Sequence, residues 1–132
     1  MGIDKIIGEI DVVLKAKDEK RERVITHSRE IIRRSGSAVL AVHKKDATAV
    51  RENLEAARAA LEASLAICRE QPEFVFTGPL PQAFQEFAEA SVVQALIAKK
   101  KVPSPGELRV PVEPYITGLA DAAGEMRRFA LD

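Results

Sequence analysis

The chain has 132 residues, 46% hydrophobic and 30% charged, with equal numbers of basic and acidic side chains and a formal net charge of zero. That length suits one domain with a real core rather than two, and the balanced charge means that nucleic-acid binding has to be argued from a local patch. The single cysteine, Cys68, excludes an internal disulfide and fits a reducing compartment. No apolar run approaches a membrane span, and the start MGIDKIIGEID is too acidic and broken for a signal peptide, so a cytoplasmic protein is expected.

The pattern along the chain is helical. Ile3, Ile6, Ile7, Ile10, Val13 and Leu14 recur at intervals of three and four, and the same phase resumes at Val24, Ile31, Ser35, Val39 and Val42 after the polar run KAKDEKRER. With no proline before Pro72, residues 3–44 are predicted to form one long helix, with Gly8 and Gly36 as points of weakness. Asp46 is placed to cap a second helix. Its stripe of Val50, Leu54, Ala57, Leu61, Leu65 and Cys68 is nearly a heptad seam, suited to antiparallel packing on the first helix, and Cys68 reads as a small core residue. The alternating apolar residues of EFVFTGPLP predict a short extended connection, followed by a helix over about 81–100. Ser104-Pro105-Gly106-Glu107 has the capping-box form, and Pro114 opens a last helix that runs to about residue 130.

Two acidic pairs lie on these helices. Glu86 and Glu89 sit about 60° apart on one face, with Val93, Leu96 and Ile97 on the same side and Phe84, Phe87, Ala88 and Ala95 opposite. A helix apolar all round is buried, and no basic residue occurs between Arg69 and Lys99. An enclosed carboxylate without a partner takes up a proton or holds a cation. Asp121 and Glu125 are about 40° apart, bordered by Gly118 and Gly124. Periodicity alone reads this pair as a solvated face, because the apolar arc of Tyr115, Leu119, Ala122, Met126 and Ala130 points the other way. Four oxygen-bearing side chains on two helices suit Mg2+ or Mn2+, whereas zinc would need clustered His and Cys.

The third charged feature is basic. Residues 20–45 hold eight Lys and Arg against Glu22 and Glu30. On a helix, Lys20, Arg23, His27, Arg34 and Lys45 fall within a roughly 60° stripe, either a solvated face or a contact for phosphates. His27 and His43 by themselves read as surface residues.

Together these features resemble the translin and TRAX family of nucleic-acid-binding helical proteins, with archaeal TRAX-like proteins in view. RERVITHSREIIRRSGSAVLAVHK resembles the family's long first helix, FQEFAEASVV its EY-x-EA segment, and VPVEPYITGLADAAGEMRR its P-x-x-Y-L-x-G-x-A-D-x-x-G-E-x-x-R block. Phe87 stands where the family usually has Tyr. The resemblance implies an all-α antiparallel bundle of the translin type with a long N-terminal helix. Residues 1–132 would be one such domain, ending before the family's C-terminal helix. It further implies a metal-dependent endoribonuclease whose E-x-x-E and D-x-x-x-E acids correspond to Glu86, Glu89, Asp121 and Glu125, and this sets aside the solvated-face reading of the second pair. The expected cofactor is Mg2+ or Mn2+. The expected partners are single-stranded RNA, or DNA, held by the basic stripe, and further copies of the chain. Two rivals are a translin-like binding module without catalysis and a MazG-type nucleotide pyrophosphohydrolase, whose second acidic pair is usually E-x-x-D at a shorter interval. A ferritin-like di-iron site is weaker, since Glu-x-x-His does not occur.

Overall fold

The computed structural model describes residues 2–131. Its helices are α1 (Gly2–His43), α2 (Ala47–Glu70), α3 (Leu80–Ile97), a single turn α4 (Pro105–Leu108) and α5 (Val112–Leu131). Among the described residues there is no strand, so the all-α expectation holds.

α1 runs unbroken through Gly8 and Gly36. Its end is set by a hydrogen-bonded turn in which the Lys45 N–H donates to Val42 O and the Asp46 N–H to Ala41 O, with Lys45 in the left-handed region at φ 58°. Lys45 therefore lies in the turn, a correction to its placement on the helical stripe. Asp46 caps α2 as expected, its side chain accepting from the Ala49 N–H. The connection after α2 is also corrected. Pro72–Phe76 is a short 3-10 helix with Pro72 at its start, and the alternation seen in the sequence survives only as burial, Phe74 being 1% exposed and Phe76 82%. α3 closes with Lys99 left-handed, and the capping box of Ser104 and Glu107 is formed in both directions.

α2 packs antiparallel on α1, and α3 packs chiefly on α1, running in the same sense as it. α5 then lies against α3 in the same sense, because residues 98–111 carry the chain back along α3 before α5 begins. Gly118 touches α3 at Gln85–Glu89, while Glu125 and Phe129 reach His43 at the far end of α1. The core is built on Val24, Ile31, Leu61, Phe74, Leu80, Phe84 and Phe87. It continues through Ala41, Val42, Val50, Val92, Val93 and Ala122, and Cys68 is buried within it, as read. α1 outruns its partner: its 42 residues against 24 in α2 correspond to about 63 Å against about 36 Å. The ion pairs Lys20–Glu70 and Lys17–Glu73 mark where α2 ends and the 3-10 turn begins. Beyond them Ile3, Ile6, Ile7, Ile10, Val13 and Leu14 are exposed.

Candidate functional site

The site depends on how closely α5 approaches α3. A Cβ on Gly118 would lie 2.5 Å from Gln85 O, 3.0 Å from Ala88 Cβ and 3.1 Å from the Glu89 nitrogen, so only glycine permits this crossing. Gly124 faces open space. With α5 seated there, its inward face is Gly118, Ala122 and the partly buried Glu125, Met126 and Phe129, while Leu119 is 42% exposed. The apolar arc read from the sequence is thus rotated, and the rotation turns the second acidic pair towards the first.

The result is a cluster of carboxylates from two helices. Glu89 is half-buried, and its pKa is pushed up to about 7, first by loss of water and then by the negative charges of Asp121, Glu125 and Glu86. Arg128 opposes this only weakly. The other three acids have partners within the chain. Gln82 Nε2 donates to Glu86 at 2.9 Å and Gln85 Nε2 to Asp121 at 2.7 Å. Glu125, whose side chain is 14% exposed, accepts from Arg128 at 3.1 Å and has His43 Nε2 2.9 Å away. His43 stacks on Phe129, ring centroids 3.9 Å apart.

His43 is therefore part of the site, not the surface residue its sequence position suggested. Gln82, Gln85 and Arg128 are likewise contacts that the motif spacing did not disclose. The donor set of four carboxylates has the chemistry of a site for a hard divalent cation. As the side chains stand, however, no three His, Cys, Asp or Glu among the described residues converge on one point. Glu86 and Asp121, half-buried and exposed, are the two whose glutamine contacts can be exchanged for a ligand without unpacking the core.

The basic stripe is not brought to this cluster. From His43, Lys20 lies about 35 Å and Arg34 about 14 Å back along α1. Lys20 pairs with Glu70 at 3.0 Å, and Arg34 bonds to Glu30 at 2.9 Å and to Asn53 at 3.3 Å. Arg23 is exposed and His27 half-buried. Arg34 and Arg33 together hold the Glu30 carboxyl below its ordinary range.

Comparison with known proteins agrees with this architecture. No family model matches the chain. An uncharacterized protein of Methanocaldococcus jannaschii is 36% identical over 121 residues, which take in 90% of this chain and 53% of that protein. The crystal structure of apo-NeC3PO superposes with a TM-score of 0.83 at 21% identity, covering 92% of this chain and 64% of that one. The fold is of the translin type. The chain spans about half the length of the curated relative it matches. Among the described residues, no helix is long and apolar enough to cross a membrane.

Proposed function

We propose that the protein binds single-stranded RNA and cleaves it as a Mg2+- or Mn2+-dependent endoribonuclease, with Glu86, Glu89, Asp121 and Glu125 as the catalytic carboxylates. One observation carries the reading: Glu89 is half-buried beside three other acids, and loss of water together with their negative charges pushes its carboxyl up to about 7. A fold that only needed to pack these helices has no reason to gather four negative charges at their crossing. The translin-type fold agrees with a nucleic-acid partner. Work in a reducing, cytoplasmic compartment agrees with the single buried thiol.

In this reading Glu86, Glu89, Asp121 and Glu125 hold the divalent cation, which when bound supplies an acidified water and charge stabilisation for phosphodiester hydrolysis. The chain's own residues do the rest. Gln82 and Gln85 keep Glu86 and Asp121 in place before the cation arrives. His43 and Arg128 fix Glu125. Glu89, whose carboxyl is pushed up to about 7 by burial and its acidic neighbours, gives up its proton when a cation enters. The exposed face of Ile3, Ile6, Ile7, Ile10, Val13 and Leu14 agrees with self-association. Light scattering should find a particle larger than 14.4 kDa, and Ile6→Asp with Ile10→Asp should reduce it.

The second reading, a binding module without catalysis, is favoured by the engagement of Glu125 with His43 and Arg128. The two are separated by incubating one single-stranded RNA with wild type, Glu89→Gln and Asp121→Asn, each with Mn2+ and with chelator. Cleavage by wild type alone, and only with metal, supports the nuclease. RNA binding with no cleavage, or cleavage that survives a substitution or the chelator, removes these carboxylates as the catalytic centre.

A further inference from the structure

A groove of about 600 Å³ opens where the C-terminal end of α1, the start of α2 and the end of α3 meet. Its floor is apolar, formed by Val42, Val50, Leu54 and Ile97, and its rim carries Lys45, Arg51 and Lys100. A second hollow of about 460 Å³ continues it through Leu54, Gln94 and Lys100 towards Arg58 and Lys101. Lys44 and Lys99 adjoin the rim in sequence, while Asp46 and Glu55 are the acids that line the first hollow.

We propose that this groove binds a single-stranded nucleic acid, with backbone phosphates on Lys45, Arg51 and Lys100 and a base against the Val42, Val50, Leu54 and Ile97 floor. The assignment rests on the nucleic-acid reading above and moves the strand away from the stripe along α1. The first support is charge. Every ion pair of α1 ahead of His43 uses a basic residue outside the groove, namely Lys15, Lys17, Lys20, Arg21, Arg33 and Arg34. Among the described residues no ion pair involves Lys45, Arg51 or Lys100; the same is true of Arg23 and Arg29 on α1, but neither of those lines the groove. A cation already answered by a carboxylate gains little from a phosphate, whereas an unanswered one at a groove releases counterions when a phosphate arrives.

The second support is backbone conformation. Lys45 and Lys99 both stand at left-handed helix ends, where glycine is the favoured residue. Arg109 is the third non-glycine residue in that region, so all three are basic, and two of them stand beside the groove. The third is placement. Ile97 is on the same side of α3 as Glu86, about 20° away, and lies about 12 Å beyond Glu89 along the helix. A strand leaving the groove over Ile97 passes onto the face that carries the carboxylates. The volume suits one nucleoside unit and its phosphate.

The test measures binding of a fluorescein-labelled single-stranded RNA by polarisation as a function of salt. Glu89→Gln serves as the parent so that cleavage does not intervene. Lys45→Gln, Arg51→Gln and Lys100→Gln together should weaken binding more than tenfold and lower the log-log salt slope by about 2, at roughly 0.7 per neutralised phosphate. Lys17→Gln, Lys20→Gln and Arg34→Gln together remove the same formal charge and should change affinity less than twofold. Restoring charge with Lys45→Arg and Lys100→Arg should return most of the slope, which a folding defect would not allow. If the parent binds and the groove variant keeps its slope, or the α1 variant loses as much, the groove assignment is overturned while the nucleic-acid reading stands. If the parent binds no RNA, both fall, and binding of polyglutamate instead would make this an acidic-peptide groove.

Discussion

Along the middle of α1 five basic side chains are answered within the chain. Lys17 meets Glu73, Lys20 meets Glu70, Arg21 meets Asp18, and Arg33 and Arg34 share Glu30. At the crossing of α3 and α5, the negative charges of Asp121, Glu125 and Glu86 act on Glu89, with Arg128 and His43 beside Glu125. Two glutamates show the contrast at the scale of one residue. Glu30 is held below its ordinary pKa by two guanidinium groups, whereas burial and its acidic neighbours push Glu89 up to about 7. Paired charge of the first kind is structural and weakly stabilising. Unbalanced charge of the second kind costs stability unless something outside the chain neutralises it.

The strongest way to break the contrast is to part the two acidic helices. Gly118→Val puts side-chain atoms where a Cβ alone already falls 2.5 Å from Gln85 O. α5 must lift, at a cost of about 3 kcal/mol, and Glu89 should return towards an ordinary carboxylate pKa. Urea denaturation and carboxyl-carbon NMR would measure both effects; an unchanged midpoint would mean that the helices do not cross this closely.

A gentler test removes the charge and keeps the shape. Because the folded pKa of Glu89 is raised from 4.5 to about 7, the protonated form is favoured by folding. Its contribution is present in full below pH 4.5 and is lost as pH rises through about 7, when the folded protein must carry the charge. In chelator, Glu89→Gln should therefore melt with wild type at pH 4.5 and above it at pH 8. Equal melting curves at pH 8 would show that Glu89 is not under electrostatic strain.

Smaller effects are expected where charge is paired. Arg34→Ala loses its bonds to Glu30 and Asn53 and should cost about 1 kcal/mol or less. Lys20→Ala, whose partner Glu70 is well exposed, should stay within about 0.5 kcal/mol in thermal unfolding. A larger loss at either position would mean that the stripe does more than hold α1 to its neighbours.

What the sequence discloses follows from the range of the interactions. The bundle is legible because helical periodicity, the Asp46 cap and the Ser104 capping box are local. The face of Glu86 and Glu89 is legible for the same reason. The orientation of Glu125 is not, since it depends on Gly118 letting α5 sit against the α3 backbone; without that contact, Leu119 looks like the inward residue. His43 meets Glu125 across 82 residues of chain, so no spacing rule could pair them. The turn at Lys45 is not legible because nothing in a lysine announces a left-handed conformation. Phe74 and Phe76 imitate a strand because a 3-10 turn led by Pro72 can also alternate burial.

Whether the four carboxylates act as one cation site is decided most directly by titrating Mn2+ into wild type and Glu89→Gln at pH 6 and pH 8, with bound metal read by electron paramagnetic resonance. A cation entering the cluster must displace the proton held by Glu89. Wild type should then bind about tenfold more tightly at pH 8 than at pH 6. Glu89→Gln should bind weakly at both, with the pH dependence gone. Equal affinity in the two proteins, or no binding by wild type at either pH, would contradict a metal centre at this crossing.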